Sequence, residues 1–105
     1  MTALAVILVA AAAPLTKLEA LAGLYGEALG AAASCPDLPR ARLDMVTTLA
    51  TAHLKAELEQ PAAEPAVSRQ LDAGIARGRQ AVASGGETCA QALSEFDNLE
   101  RDLKR

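Results

Sequence analysis

The sequence predicts an all-α fold, a small up-and-down bundle of three to four helices tied by one interhelical disulfide. Ala, Leu and Val supply nearly all of a hydrophobic content of 51%, alongside one Tyr, one Phe and no Trp. Ala and Leu head the helix-propensity ranking, and the β-branched and aromatic residues that favour strands are scarce. Apolar residues recur at three- and four-residue spacing through most of the chain. The only two cysteines, Cys35 and Cys89, fall at the end of one predicted helix and the start of another.

Residues 1–13 read as an export signal. They carry no charged side chain and hold the run Leu4-Ala5-Val6-Ile7-Leu8-Val9, followed by alanines and Pro14. Ala10-Ala11-Ala12 satisfies the small-residue cleavage rule, which predicts cleavage near Ala12/Ala13 and a helical domain over residues 14–105. No Lys or Arg precedes the apolar run, so the α-amino group alone supplies the positive end. The alternatives are a buried first helix and a membrane anchor. Pro14, Lys17 and Glu19 interrupt the stretch short of the roughly twenty apolar residues a spanning helix needs, so no stable membrane span is expected after signal removal.

Thr16-Lys17-Leu18-Glu19 is a capping box that opens the first mature helix. Leu18, Leu21, Ala22, Tyr25, Ala28, Leu29 and Ala32 form its apolar stripe, and Ser34-Cys35-Pro36 ends it. Asp37 before Leu38-Pro39 predicts an N-cap for a second helix running to about Glu59. Its apolar residues lie on two adjoining stripes, one with Leu38, Met45, Leu49, Ala52 and Ala56, the other with Leu43, Val46, Ala50, Leu54 and Leu58. So wide a face predicts that this helix is central.

Gln60 to Pro65 forms the next loop, with two prolines, and Pro65 starts a third helix bearing Val67, Leu71, Gly74, Ile75, Gly78 and Val82 on one side. Gly74 and Gly78 are four apart. Each interior glycine costs a helix about 1 kcal/mol, and close approach of another helix inside the bundle would justify that cost. Ser84-Gly85-Gly86 stops the helix. Thr88 with Gln91 makes a second capping box, opening a fourth helix that presents Cys89, Ala92, Leu93, Phe96, Leu99, Glu100 and Leu103 together.

An even cysteine count in a short chain with an export signal is the pattern of a structural disulfide. In an up-and-down bundle the end of helix one and the start of helix four share a pole, so a Cys35–Cys89 bridge is geometrically natural. Closing the loop of 54 residues between them is worth roughly 4 kcal/mol on the chain-entropy model. Two buried free thiols in a cytosolic protein are the alternative.

The form Leu18-x-x-Leu21-x-x-Leu24-x-Gly26 running to Cys35, then Leu71-Asp72-Ala73 and Cys89, resembles an uncharacterised family of small exported bacterial proteins with two cysteines and a helical fold. The resemblance implies export and a helical architecture, and no activity.

The residues for chemistry are few. Net charge is −3, with Lys and Arg scattered among Asp and Glu, and two aromatics offer no stacking platform, so nucleic-acid binding is not expected. The sole histidine, His53, has no nucleophile motif beside it, and the cysteines are not in zinc-ligand spacing. No catalytic residue, cofactor site or metal site is assigned. His53 and Glu57, four apart on one helical face with Glu59 nearby, would offer a nitrogen and a carboxylate to a metal, but a surface pair is the simpler reading. The sequence thus predicts a non-enzymatic periplasmic or secreted module that binds a protein or envelope component, with metal or small-ligand binding as the alternative.

Overall fold

Thr16 opens the first helix as its sequence predicts. Its hydroxyl accepts the Glu19 amide at 3.1 Å, and the Glu19 carboxylate accepts the Thr16 amide at 2.8 Å, so both halves of the capping box are made. In the computed structural model, which describes residues 14–105, α1 (Lys17–Ala33) runs from this cap to Ser34. Helices α2 (Arg40–Ala56), α3 (Glu64–Ala83) and α4 (Cys89–Leu103) follow, with a 3₁₀ turn at Pro61–Ala63 leading into α3. The described residues contain no strand. The expected signal sequence at residues 1–13 lies outside them.

Helix α2 starts later and ends earlier than its sequence predicts. Asp37 is not its cap: residues 36–38 form a turn in which the Leu38 amide donates to the Cys35 carbonyl, and Pro39 is the N-cap, with no side-chain cap hydrogen bond. The cause is the proline itself, which disfavours helical geometry in the residue before it and so keeps Leu38 out of the helix. At the other end Glu57 is the C-cap. Leu58 folds back, its amide donating to Lys55, and Gln60 is extended ahead of Pro61 for the same steric reason. Within α2, the hydroxyls of Thr47, Thr48 and Thr51 donate to the carbonyls four residues earlier, which lets this threonine-rich segment satisfy its side chains without leaving the helix.

The central helix is α1. It touches α2, α3 and α4, and its closest partner is α3. On α2 only Val46, Ala50 and Leu54 are buried, while Met45 is 41% exposed and Ala52 and Ala56 are open to solvent. The second predicted stripe therefore faces the core and the first largely does not. A run of alanines makes a stripe look wide without giving it much area to bury.

The α1–α3 contact is made by glycines. A Cβ at Gly26 would collide with the Leu71 carbonyl and lie 2.8 Å from the Ile75 amide; one at Gly78 would collide with the Glu27 carbonyl and lie 2.7 Å from the Ala31 amide. Gly74 meets the backbone of Gly23, and Gly30 that of Ile75. Positions rise together along both helices, so α1 and α3 run in the same direction, as they must in an up-and-down bundle. The close approach predicted for Gly74 and Gly78 is thus made, and its other half is Gly26 and Gly30 on α1.

The core around this pair is small-sided. Phe96 and Val46 are its largest fully buried side chains, and they pack with Ala28, Leu29, Ala32, Ala50 and Leu99. Leu54 of α2 and Val67 of α3 close on Ala22 near the start of α1. At the far end Ala31, Cys35 and Ala92 pack together, where the Cys35–Cys89 disulfide joins α1 to α4 with a Cα–Cα distance of 5.7 Å. Helix α4 is opened by the predicted Thr88–Gln91 capping box. Among the described residues no helix is long and apolar enough to cross a membrane.

Candidate functional site

At the pole opposite the disulfide, the first turns of α1 and α3 and the last turn of α2 do not fully close on one another. They leave an open groove of about 790 Å³, within the size range of ligand sites. Its apolar lining comes from Leu18 and Leu21 of α1, Leu58 after α2, and Ala66 and Val67 of α3. Leu18, Leu21 and Leu58 are half-buried here, packed against Ala22, Leu54 and Val67 in a cluster that Leu71 of α3 also joins. The polar rim carries Lys17 and Glu19 on one wall, and His53, Glu57 and Glu59 on the other.

Both residues singled out for metal binding line this groove, yet they do not form a metal site. Among the described residues no group of three or more His, Cys, Asp and Glu side chains lies close enough to hold a metal ion. Nor do His53 and Glu57 form an ion pair among those residues. The His53 imidazole lies instead beside Tyr25 of α1, ring centroids 6.0 Å apart and tilted by 55°. Burial raises the Tyr25 hydroxyl above its ordinary pKa, and the charges of Asp102 and Glu57 add to the effect, so Tyr25 is an uncharged ring neighbour of His53 at neutral pH.

A second groove, about 410 Å³, lies toward the disulfide pole between α1, α2 and α3. Leu29, Leu43 and Ile75 line it, with Arg40 and Arg79 at its edge; Arg40 pairs with Asp44 at 3.7 Å.

Two electrostatic features escaped the sequence. Arg42 of α2 bridges to α4: its Nη2 donates to Glu100 and to Asp97, each at 2.6 Å, and its Nε donates to Glu100 at 3.1 Å. Its guanidinium also sits 5.3 Å above the Phe96 ring. The hydrogen bond from Arg42, then that from Lys104, holds the Glu100 carboxyl below its ordinary pKa. The available signal was the half-polar face of helix four, where Glu100 shares a side with Phe96 and Leu99 and so needs a cation from another helix. The second feature is Glu87, just before α4. Its Oε2 is buried without a hydrogen-bond partner among the described residues, and burial, with Glu95 and Glu27 nearby, raises its pKa.

No protein-family model, curated protein or solved structure matches this chain. Its functional reading therefore rests on its own surfaces. Of these, the groove at the α1 start is the larger of the two described and combines an apolar floor with a charged rim, whereas the Arg42 cluster is an internal clasp between α2 and α4.

Proposed function

We propose that this chain is a non-enzymatic, exported helical-bundle module that binds another protein or an envelope component through the groove between α1, α2 and α3. The observation that carries the reading is the groove itself, about 790 Å³ of open space over half-buried Leu18, Leu21 and Leu58 at the pole remote from the disulfide. Apolar side chains left half-covered beside charged ones are the composition of a recognition surface. The export part is supported by the apolar run and small-residue site at residues 1–13 and by the disulfide, which persists in oxidising compartments. The resemblance to small exported two-cysteine proteins points the same way.

The test pairs the oxidised protein with Ala66→Trp, which fills the groove from its α3 wall. Capture from an envelope extract is expected to yield a partner that the wild type holds and Ala66→Trp loses, while the two proteins share a thermal midpoint. Equal capture by both would remove the groove from the binding surface. Amino-terminal sequencing and intact mass of the native protein check the export reading separately: a chain that begins at Met1 would overturn it.

A further inference from the structure

The rim of the groove is unbalanced in charge. Glu19, Glu57 and Glu59 line it against a single lysine, Lys17, with His53 between. Glu57 and Glu59 are exposed, and neither enters an ion pair among the described residues. Glu19 already uses one carboxylate oxygen in the α1 cap. The placement of the other two is informative. Glu57 is the C-cap of α2 and Glu59 follows it, so both stand at the negative end of that helix, where a carboxylate opposes the dipole and the fold gains nothing from it. The two carboxylates stand directly beside the apolar floor of Leu58 and Leu18, and their charge, not the helix ends, is what a cation would meet there, because the first turns of α1 and α3 bring positive helix ends to the same groove.

Resting on the reading of this groove as the binding surface, we infer that its partner is a polypeptide segment in which an apolar side chain of leucine size is followed by Lys or Arg. The apolar side chain fits over Leu18, Leu21 and Val67, and the basic one reaches Glu57 and Glu59. An anionic bilayer is the disfavoured occupant, because the rim would repel its headgroups.

The experiment titrates the oxidised, isotope-labelled protein with two blocked tetrapeptides, one alternating leucine with arginine and one alternating leucine with glutamate, while amide resonances are followed by NMR. The basic peptide is expected to shift the amides of Leu18, Leu21, Leu58 and Val67, and to bind about ten-fold tighter than the acidic one. The double variant Glu57→Gln, Glu59→Gln is expected to bind it about five-fold more weakly, with a thermal midpoint no lower than that of the wild type, and added salt should weaken the wild type more than the variant. Equal or tighter binding of the acidic peptide, or no shift at the groove with the basic one, overturns the inference. If Ala66→Trp still abolishes capture in that case, the groove remains the binding surface and only the partner's chemistry is wrong. Binding to phosphatidylglycerol vesicles that Ala66→Trp abolishes would also overturn it, in favour of a lipid surface.

Discussion

Arg42 and Glu100 are joined across two helices by two hydrogen bonds to one carboxylate oxygen, at 2.6 and 3.1 Å. Glu100 is 14% exposed and Arg42 39%, so the pair is only partly screened by water. The same guanidinium covers Phe96, the largest side chain in the core. Helices α2 and α4 otherwise share few contacts, and this clasp seals the ring from solvent. Arg42→Met, which keeps the length of the stem and removes the charge, is expected to lose about 1–2 kcal/mol in chemical denaturation.

The same pair fixes a sign for acid unfolding. The Glu100 carboxyl is lowered in the folded protein by its bond from Arg42. Its contribution is therefore present above the ordinary carboxylate range, near pH 4, and is lost as pH falls through the lowered value. Denaturation curves of wild type and Glu100→Gln are expected to differ at neutral pH and to converge in acid. A difference that persists at the lowest pH would assign the effect to shape and not to charge.

Glycines give the sharpest contrast. On helix propensity alone, each Gly→Ala change within a helix should gain about 1 kcal/mol. At Gly78 the added methyl strikes the Glu27 carbonyl and at Gly26 the Leu71 carbonyl, and backbone cannot swing aside as a side chain can. Gly78→Ala and Gly26→Ala are each expected to destabilise by about 1–3 kcal/mol despite the propensity gain. Gly23→Ala meets only the end of the Arg77 side chain at 3.0 Å and the Gln70 carbonyl at 3.9 Å. It is expected to be neutral or stabilising by up to about 1 kcal/mol. Thermal unfolding of the three single variants checks the order.

Which parts of this arrangement could be read from sequence follows from how local each cause is. Both capping boxes need only residues three apart, and both are present. The disulfide could be placed because two predicted helix ends had to meet at one pole. The start of α2 does not follow from Asp37 as a cap, because the steric effect of Pro39 on Leu38 overrides that local preference. The central role of α1 was missed because its second face is glycine. Gly26 and Gly30 carry no hydrophobic signal, and their meaning appears only once the α3 backbone from Leu71 to Ile75 lies against them. The groove was invisible for a related reason: Leu18, Leu58 and Val67 each obey a periodic pattern, and no single helix records what the three leave uncovered between them. His53 and Glu57 share one face of α2 and both line the groove, but a metal site needs a third ligand that no single helix records, and among the described residues no group of three or more His, Cys, Asp and Glu lies close enough to hold a metal ion.

Glu87 has the opposite sign to Glu100. Burial and the charges of Glu95 and Glu27 raise its pKa in the folded state, so the folded protein holds this proton more tightly than the unfolded chain does. Its ionised form is a liability that sets in as pH rises from the ordinary carboxylate range through the raised value, and it is absent below that window. Glu87→Gln is expected to raise the thermal midpoint at neutral pH, with the gain vanishing in acid. A gain equal at all pH values would point to packing instead of charge.

The disulfide separates stability from recognition. Cys35 and Cys89 close a loop of 54 residues at one end of α1, and on the chain-entropy model its opening costs roughly 4 kcal/mol. A small-sided core has little in reserve against such a loss. For a domain of this size that corresponds to a fall in midpoint of roughly 15–30 °C, to be measured with and without reductant. The variant Cys35→Ala, Cys89→Ala should reproduce it, because Ala31 and Ala92 already pack around the bridge and tolerate a methyl in place of sulfur. The groove, however, sits at the other end of α1, a helix of 17 residues and so about 25 Å long. Below its lowered midpoint, the reduced protein is expected to bind the basic peptide as the oxidised one does. Loss of binding in a reduced protein that is still folded would mean that the bridge sets the geometry of the distant pole, and that the glycine contacts between α1 and α3 are not sufficient to hold the groove open.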